Sequence, residues 1–512
     1  PGASIAVLRQ GETIFERSYG MANLEYDQPM NEQTLVALGS VSKHFTTFAL
    51  LLLEQRGLLS LEDDIHEYLP ELPDYGYPIS LREIAWHLSG IRSNLELLGM
   101  QGYGPSDALS EDFVRNIIYD QAGLNFPPGS DFSYSNSGYF LLADVISTVS
   151  GQDFASFLQA EIFAPLGMEQ TFVMNDYAQV LDQRSYSYYQ EGDQFVNAIM
   201  NRASIGSTGI WTTLADFKKW GQNFSTKSLG NEALFNALCQ EGVLNNGRGI
   251  QYGLGMAIGT HLGSPLFHHG GGTSGYRTYL AHLPDQDLTI LLLSNHGSFN
   301  GEAIARSVAD LLHPELADSP IATAMPPLDR ADLSAEELTI YTGDYLDTNH
   351  HFSREIILRD DSLFIQYPWG ESWMMPLVNG NFWVAEDRYQ IQFPDLATAS
   401  SYVVYQEGSL EASATYERYD LQSLSAAELA AFTGTFYSEA LNVVYRIELN
   451  EEQLAIHHSR MGELPLQAYK ADHFLVNSWR MNGLQFERDE NQKITGFKLS
   501  SNRNRGLHFR KI

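Results

Sequence analysis

Apolar residues recur in two different rhythms along this chain. Ala3 to Leu8 and Thr13 to Tyr19 are short runs around Gln10-Gly11-Glu12, which predicts two strands joined by a glycine-containing turn. Phe45 to Leu53 is apolar on nearly every side, which predicts a helix buried all round, beginning where Gly39-Ser40-Val41-Ser42-Lys43 leaves an extended approach. That helix is expected to stop near Gly57, with Arg56 in the last turn facing the negative end of the helix dipole. Ser80 and Glu83 have the spacing of a capping box and open a helix expected to run to Ser89-Gly90. Gly99 to Asp107 reads as an irregular surface loop beside a cleft. After the turn Phe126-Pro127-Pro128-Gly129, Leu141, Leu142, Val145, Ile146 and Val149 predict a helix from Tyr139 to Thr148. Thr213 is the expected N-cap of a helix reaching Phe224. Leu266 to His269 predicts a short strand entering Gly270-Gly271-Gly272, followed by strands Arg277 to Leu283 and Leu288 to Ser294 and a helix from Gly301 to Leu312.

Beyond a proline-rich stretch the rhythm shortens and then repeats. Leu333-Ser334-Ala335-Glu336-Glu337-Leu338 through Gly343-Asp344-Tyr345 recurs as Leu424-Ser425-Ala426-Ala427-Glu428-Leu429 through Gly434-Thr435-Phe436, an offset of 91 residues that still holds between Leu363-Phe364-Ile365 and Leu454-Ala455-Ile456. Short alternating strands separated by turn residues fill each copy and predict two small antiparallel β-barrels of about eight strands each. The expected organisation is an α+β (α/β) domain over 1–318 with one antiparallel sheet, a linker over 319–332, and barrels over 333–421 and 424–512.

Composition narrows the function classes. The chain has 512 residues, too many for one ordinary core, and 44% of them are hydrophobic. Asp and Glu number 63 against 31 Lys and Arg, a formal net charge of -32 that argues against nucleic acid or an anionic membrane surface as partner. With Cys239 as the only cysteine, an intramolecular disulfide and a cysteine zinc site are both excluded. No apolar run reaches the roughly 18 residues of a spanning helix. The start at Pro1-Gly2, directly before a strand, predicts that an upstream piece is missing or cleaved, so neither a periplasmic, a secreted nor a cytoplasmic location is readable.

The candidate chemistry begins with Ser40 and Lys43. Three residues apart at a helix start, their side chains share a face, and burial of that face disfavours the charged ammonium and prepares it to take a proton. An isolated Ser-x-x-Lys is more often a cap and a solvated charge. Two further segments change that reading: Tyr134-Ser135-Asn136 stands between a Pro-Pro-Gly turn and an apolar helix, and His269-Gly270-Gly271 ends a strand in a glycine run. Asp63, Asp64, His66 and Glu67 read as a charged loop rather than a metal site, and no metal or other cofactor is expected.

With these three segments in this order, 1–318 resembles the serine penicillin-recognising superfamily, which includes class C β-lactamases, DD-peptidases, D-aminopeptidases and related esterases. Leu88-Ser89-Gly90, Pro165-Leu166-Gly167-Met168 and Gly275-Tyr276 are similar to its landmarks. The resemblance implies a β-lactamase/transpeptidase-like fold, and two trailing lipocalin-like barrels are similar to the architecture of bacterial D-aminopeptidases. It implies Ser40 as acylated nucleophile, Lys43 and Tyr134 as the proton-handling pair in either order, and Asn136 as holder of the substrate amide. The backbone amides of Ser40 and Gly272 would form the oxyanion hole, and His269, on an edge strand, would bind substrate or relay a proton, while His268 faces the other side. Where class C β-lactamases resemble one another in having Lys-Thr-Gly, this chain has His-Gly-Gly, a weaker site for a drug carboxylate. In D-aminopeptidases of that architecture a loop from the last barrel can reach and restrict the active site; the resemblance makes the turn Ser459 to Glu463 one candidate for it, with Glu463 placed to meet a free substrate amine. The implied function is a serine hydrolase working through an acyl-enzyme on small D-amino-acid peptides or amides, with an ester substrate or weak β-lactam hydrolysis as the second reading and a non-hydrolytic penicillin-binding or sensory protein as the third. Homo-oligomerisation is left open.

Overall fold

The computed structural model describes every residue except 177, 202–203, 318–328, 348–351, 368–369, 385–388, 407–411 and 479. Most of the expected linker over 319–332 therefore lies outside the described residues. The chain divides into two compact units, one of 1–94 and 104–322, the other of 95–103 and 323–512.

The first unit is built on a seven-stranded antiparallel sheet, in the order Gln28–Pro29, Glu12–Asn23, Gly2–Arg9, Leu288–Ser294, Tyr276–Leu283, Ser264–Thr273, Ala257–His261. The N-terminal hairpin turns through Gln10 and Gly11, both at positive φ (52° and 75°), the two-residue geometry that matches strand twist. Its first strand lies in mid-sheet, paired from Ala3–Ser294 to Arg9–Leu288 with a strand from the far end of the domain. Leu288–Ser294 is buried at every position, because helices cover both sheet faces. Ala305 and Ala309 of helix Gly301–Leu312 pack with Leu283, Ile290 and Leu292. On the other face Gly221 lets helix Leu214–Thr226 lie close, since a Cβ there would stand 2.8 Å from Leu291 Cδ1.

Several elements differ from the sequence reading. Helix Asn136–Ser150 begins earlier than the hydrophobic repeat, because Ser135 caps it by accepting from the Gly138 N–H. The Ser80–Glu83 capping box is present, but its helix stops at Ala85 and the chain turns at His87, which has a left-handed φ of 63°. The expected loop at 99–107 begins instead in helix Asn94–Met100, with Leu97, Leu98 and Met100 fully buried.

The second unit holds two closed antiparallel barrels of eight strands, from Gly343–Asp347 to Ala414–Tyr419 and from Gly434–Ser438 to Leu507–Lys511. Both copies open on a complete capping box, Ser334 with Glu337 and Ser425 with Glu428. Aromatic side chains fill the interiors: Tyr345, Phe382, Phe393 and Tyr402 in the first, Phe436, Phe474, Phe486 and Phe497 in the second. Among the described residues no helix is long and apolar enough to cross a membrane.

Two stability predictions follow from the sheet. Fully buried Asn295 accepts from the Gly2 N–H (2.6 Å) and donates to the carbonyls of Tyr186 (2.8 Å), Met21 and Ala22 (both 3.1 Å). Asn295→Ala strands these backbone groups and is expected to destabilise the first unit by about 3 kcal/mol in urea unfolding. Burial also lowers the pKa of His268 and His282 to about 4 and of His269 to about 3. The unfolded chain binds these protons first, so stability is complete above pH 6.5 and falls as the pH drops toward 4. Each histidine contributes up to about 1.4 kcal/mol per pH unit. In unfolding measured between pH 6.5 and 5, His282→Gln is expected to flatten the slope by about one proton.

Candidate active site

The approach to Ser40 is fixed by backbone pairing before any side chain takes part. Val36–Ala37 pairs with Ile210–Thr212, and the Leu38 N–H donates to the Ile210 carbonyl at 2.8 Å. Gly39–Val41 then forms a 3₁₀ turn that runs directly into helix Ser42–Gln55, leaving Ser40 half-buried at the junction. That helix is anchored by Phe45 and Phe48, whose rings lie 4.3 and 5.2 Å from the Trp220 ring.

Two glycines bring the turn against strand Ser264–Thr273. Gly39 has a φ of 56°, and a Cβ on it would stand 2.8 Å from the Gly272 amide nitrogen. A Cβ on Gly271 would meet the Leu38 carbonyl at 2.0 Å, and the Thr278 hydroxyl donates to that same carbonyl at 2.7 Å. The Ser40 amide thus follows a residue in direct backbone contact with Gly272, an arrangement suited to two N–H groups sharing one oxyanion.

Lys43, the second residue of the helix, is fully buried. Its Nζ donates to Asn136 Oδ1 at 2.8 Å and to the Ser207 carbonyl at 2.9 Å. It also lies 4.7 Å from the centroid of the Tyr134 ring and 5.2 Å from that of Tyr139. Two oxygen acceptors and two aromatic faces replace the water removed from the ammonium. The structure therefore brings Lys43, Tyr134 and Asn136 together, and Ser40 precedes Lys43 by one helical turn.

Tyr134 is half-buried on the extended segment before helix Asn136–Ser150, and Asn136 is 3% exposed. Behind Tyr134 stands His87, a residue that sequence reasoning missed. Its ring centroid is 4.2 Å from that of Tyr134, and its Nδ1 accepts from the Ser135 N–H at 3.1 Å. The only sequence signal was its place just before Leu88-Ser89-Gly90.

His269 follows the last residue of its strand that is paired on both sides. Ala257–His261 pairs outside its strand only as far as His268 with Ala257, so His269 begins the stretch that, among the described residues, has no strand on its outer side. Its Nδ1 bonds the Gly270 carbonyl at 2.7 Å and its Nε2 the Tyr252 hydroxyl at 2.9 Å. The carbonyl requires Nδ1 to carry the proton, so Nε2 accepts from Tyr252. Burial, and then the Lys43 charge, push the imidazole down to about 3, so it is neutral at ordinary pH. Both ring nitrogens of His269 are thus engaged within the protein. His268 faces the other side of the sheet, bonded to the Tyr279 hydroxyl at 2.8 Å.

The remaining candidates have local partners. Asp64 caps the turn Ile65–Glu67 and bonds His66 Nδ1 at 2.8 Å. Glu463 accepts from Asn450 Nδ2 at 2.8 Å. Arg277, absent from the sequence reading, sits across the hairpin from Gly272, its Nη1 3.6 Å from where a Cβ on that glycine would be.

Comparison with known proteins agrees with this geometry. Penicillin-binding protein 4* of Bacillus subtilis (strain 168) is 25% identical over 423 residues, 78% of this chain and 92% of the relative. A D-aminopeptidase of Gluconobacter oxydans (strain 621H) is 28% identical over 313 residues, 61% of this chain, and the match spans only 59% of that enzyme. Among solved structures, the octameric penicillin-binding protein homologue from Pyrococcus abyssi shares the fold with a TM-score of 0.58 at 20% identity, covering 81% of this chain and 95% of that one. A family model described as Beta-lactamase matches residues 1–314, the whole stretch that carries Ser40, Lys43, Tyr134, Asn136 and Gly272, and the chain belongs to that family, within the serine penicillin-recognising superfamily of serine hydrolases.

Proposed function

We propose that the protein is an aminopeptidase or amidase that cleaves small D-amino-acid peptides or amides through an acyl-enzyme on Ser40. The observation that carries this reading is the buried Lys43 ammonium, shared between Asn136 Oδ1 and the Ser207 carbonyl and facing the Tyr134 ring. A structural lysine at a helix start has no need of that enclosure.

In this reading Ser40 Oγ attacks the substrate carbonyl while its proton passes to the Lys43–Tyr134 pair, which reacts one proton short, as a Tyr134 phenolate beside the Lys43 ammonium or as a neutral Lys43 amine beside the phenol. The carbonyl oxygen, now negative, is met by the Ser40 and Gly272 amides, and Asn136 holds the substrate amide. The pair returns the proton to the leaving amine. Water then enters by the same route in reverse and releases the acid. No metal or cofactor is required by any step. The preference for aminopeptidase chemistry is supported by the D-aminopeptidase relative and by a third motif whose His269 is neutral and internally bonded.

Arg277 favours a second reading, a carboxylate-bearing substrate such as a peptide C-terminus or a β-lactam, because its guanidinium flanks Gly272. D-alanine p-nitroanilide, nitrocefin and a p-nitrophenyl ester, each supplied to the protein and to Ser40→Ala, separate the readings. The anilide is expected to be the best of the three, with turnover in Ser40→Ala reduced by at least ~10³-fold. Nitrocefin as the best substrate, lost selectively in Arg277→Ala, would move the assignment to the second reading. Stable covalent capture without turnover would make the protein a penicillin-binding one.

The glycine contact yields an independent prediction. Gly39→Ala combines a left-handed φ with a Cβ that must displace Gly272. It is expected to slow acylation by about 10²-fold, as loss of one oxyanion donor does, with the far-UV circular dichroism unchanged.

A further inference from the structure

Helix Asn94–Met100 leaves the first unit after its first residue, and 95–103 belongs to the second. Within that unit the last barrel holds this segment at five points. The Tyr445 hydroxyl donates to the Met100 carbonyl at 2.6 Å, and Gln101 Nε2 donates to the Leu441 carbonyl at 2.6 Å. Arg460 Nε donates to the Gly102 carbonyl at 3.2 Å while its guanidinium covers the Tyr103 ring at 4.4 Å. Arg503 pairs with Glu96 at 3.4 Å. Gly102, at a φ of 86°, lies so close that a Cβ would stand 2.7 Å from both Arg460 Cβ and His458 Cε1.

Both covalent ends of the held segment run into the acyl-transfer site. At one end the Asn94 N–H donates to Ser137 Oγ at 2.8 Å, and Ser137 follows the Asn136 that accepts from Lys43. At the other, the carbonyls of Pro105 and Ser106 accept from the Asn201 backbone and side chain at 3.1 and 3.0 Å. The neighbouring Met200 sulfur accepts from the hydroxyl of Thr273, the residue after Gly272, at 3.0 Å. One end thus reaches the Tyr134–Asn136 side of the site, and the other reaches the oxyanion strand.

The duplication shows that this grip is particular to the second copy. At the 91-residue offset Arg354 stands where Tyr445 stands. In the first barrel Ile365 pairs with Ser372, whereas in the second Ile456 pairs with Leu464, so the connection that carries Arg460 is one residue longer. Two copies of one scaffold differ at the residues that hold 95–103.

We propose that the second barrel is a positioning element of the acyl-transfer site: Tyr445 and Arg460 hold 95–103, and through its two ends they fix Asn136 and the Gly272 strand in register. This rests on the reading of Ser40 as nucleophile, but the role assigned to the barrel is distinct from a loop that meets substrate. A held strap keeps two walls in a productive geometry, and its release costs rate without removing any reacting group.

The test compares the full chain with the double variant Tyr445→Phe/Arg460→Ala and with Arg446→Ala, a control on an exposed position of the same barrel. Hydrogen exchange of 95–103 reads the grip, and the rate of Ser40 labelling by a fluorophosphonate reads the site without assuming a natural substrate. Exchange in 95–103 is expected to rise at least tenfold and labelling to slow at least fivefold in the double variant, with both unchanged in Arg446→Ala. Exchange in strand Gly462–Lys470 is expected to stay as in the parent, showing that the barrel itself is intact. Faster exchange with unchanged labelling would overturn the proposal, as would unchanged exchange, or a barrel that opens throughout. Absence of labelling in the parent chain would instead overturn the assignment of Ser40.

Discussion

A buried ammonium is the constraint on which the rest of the catalytic unit depends. Lys43 loses all of its water, and an uncompensated charge in that position would cost far more than a domain of this size has to spare. The fold supplies Asn136 Oδ1 from one helix start, the Ser207 carbonyl from a loop, and the faces of Tyr134 and Tyr139. Each of these needs its own support. Ser135 caps the helix that begins at Asn136, and His87 holds the Ser135 amide. Thr46, one turn beyond Lys43, donates to the Gly206 carbonyl at 2.7 Å and fixes the Ser207 loop against the same helix. The Ser40–Lys43 and Tyr134–Asn136 segments, far apart in the chain, meet where one charge has to be enclosed.

The second constraint is close approach of backbone. The turn before Ser40 and the strand before Gly272 lie nearer than side chains allow, so the contact falls on Gly39 and Gly271, with Thr278 tying the Leu38 carbonyl to the sheet; the proposed two-amide oxyanion hole needs that approach. Enclosure of Lys43 then sets the orientation of the helix, and the glycine contact sets its distance from the strand. His269 belongs to this frame: neutral and bonded at both nitrogens, it joins the strand to Tyr252 without adding a charge beside Lys43.

Much of this was legible in the sequence because it rests on side-chain identity at fixed spacing. Ser40, Lys43, Tyr134 and Asn136 could be found from motif order, the barrels from the 91-residue repeat, and the caps at Ser80 and Thr213 from their neighbours. What was not legible has physical reasons. The Ser207 carbonyl is a backbone group that any residue would offer. His87 works from a left-handed turn that ends its helix early, and the helical pattern of 81–89 carries no sign of it. The partner of the His269 ring, Tyr252, comes from a segment with no regular period, and strand Ala257–His261, which pairs with the His269 strand only as far as His268, has little β pattern of its own. Helix Asn94–Met100 was not legible, and its end fell in the stretch 99–107 expected as a loop, because a group that holds it, the Tyr445 hydroxyl on the Met100 carbonyl, lies 345 positions away.

That last misreading has a structural lesson. A local pattern predicts burial against the same domain, whereas 95–103 is buried against a barrel from the end of the chain. Gene duplication supplies a reason for the difference between the two copies. Both keep what folds a barrel: the Ser-Glu capping boxes, the glycines Gly343 and Gly434 at matching strand starts, and the aromatic interiors. Of the residues that differ, Tyr445 buries its ring in the barrel against Phe509, but its hydroxyl, like the guanidinium of Arg460 on the longer connection, is directed at a main-chain carbonyl of 95–103. A scaffold that already satisfies its own hydrogen bonds leaves such side chains to work on a neighbouring segment. In the proposed reading, the acid-base chemistry rests on residues of the first unit, and the segment 95–103 held by the last repeat is what supports its geometry.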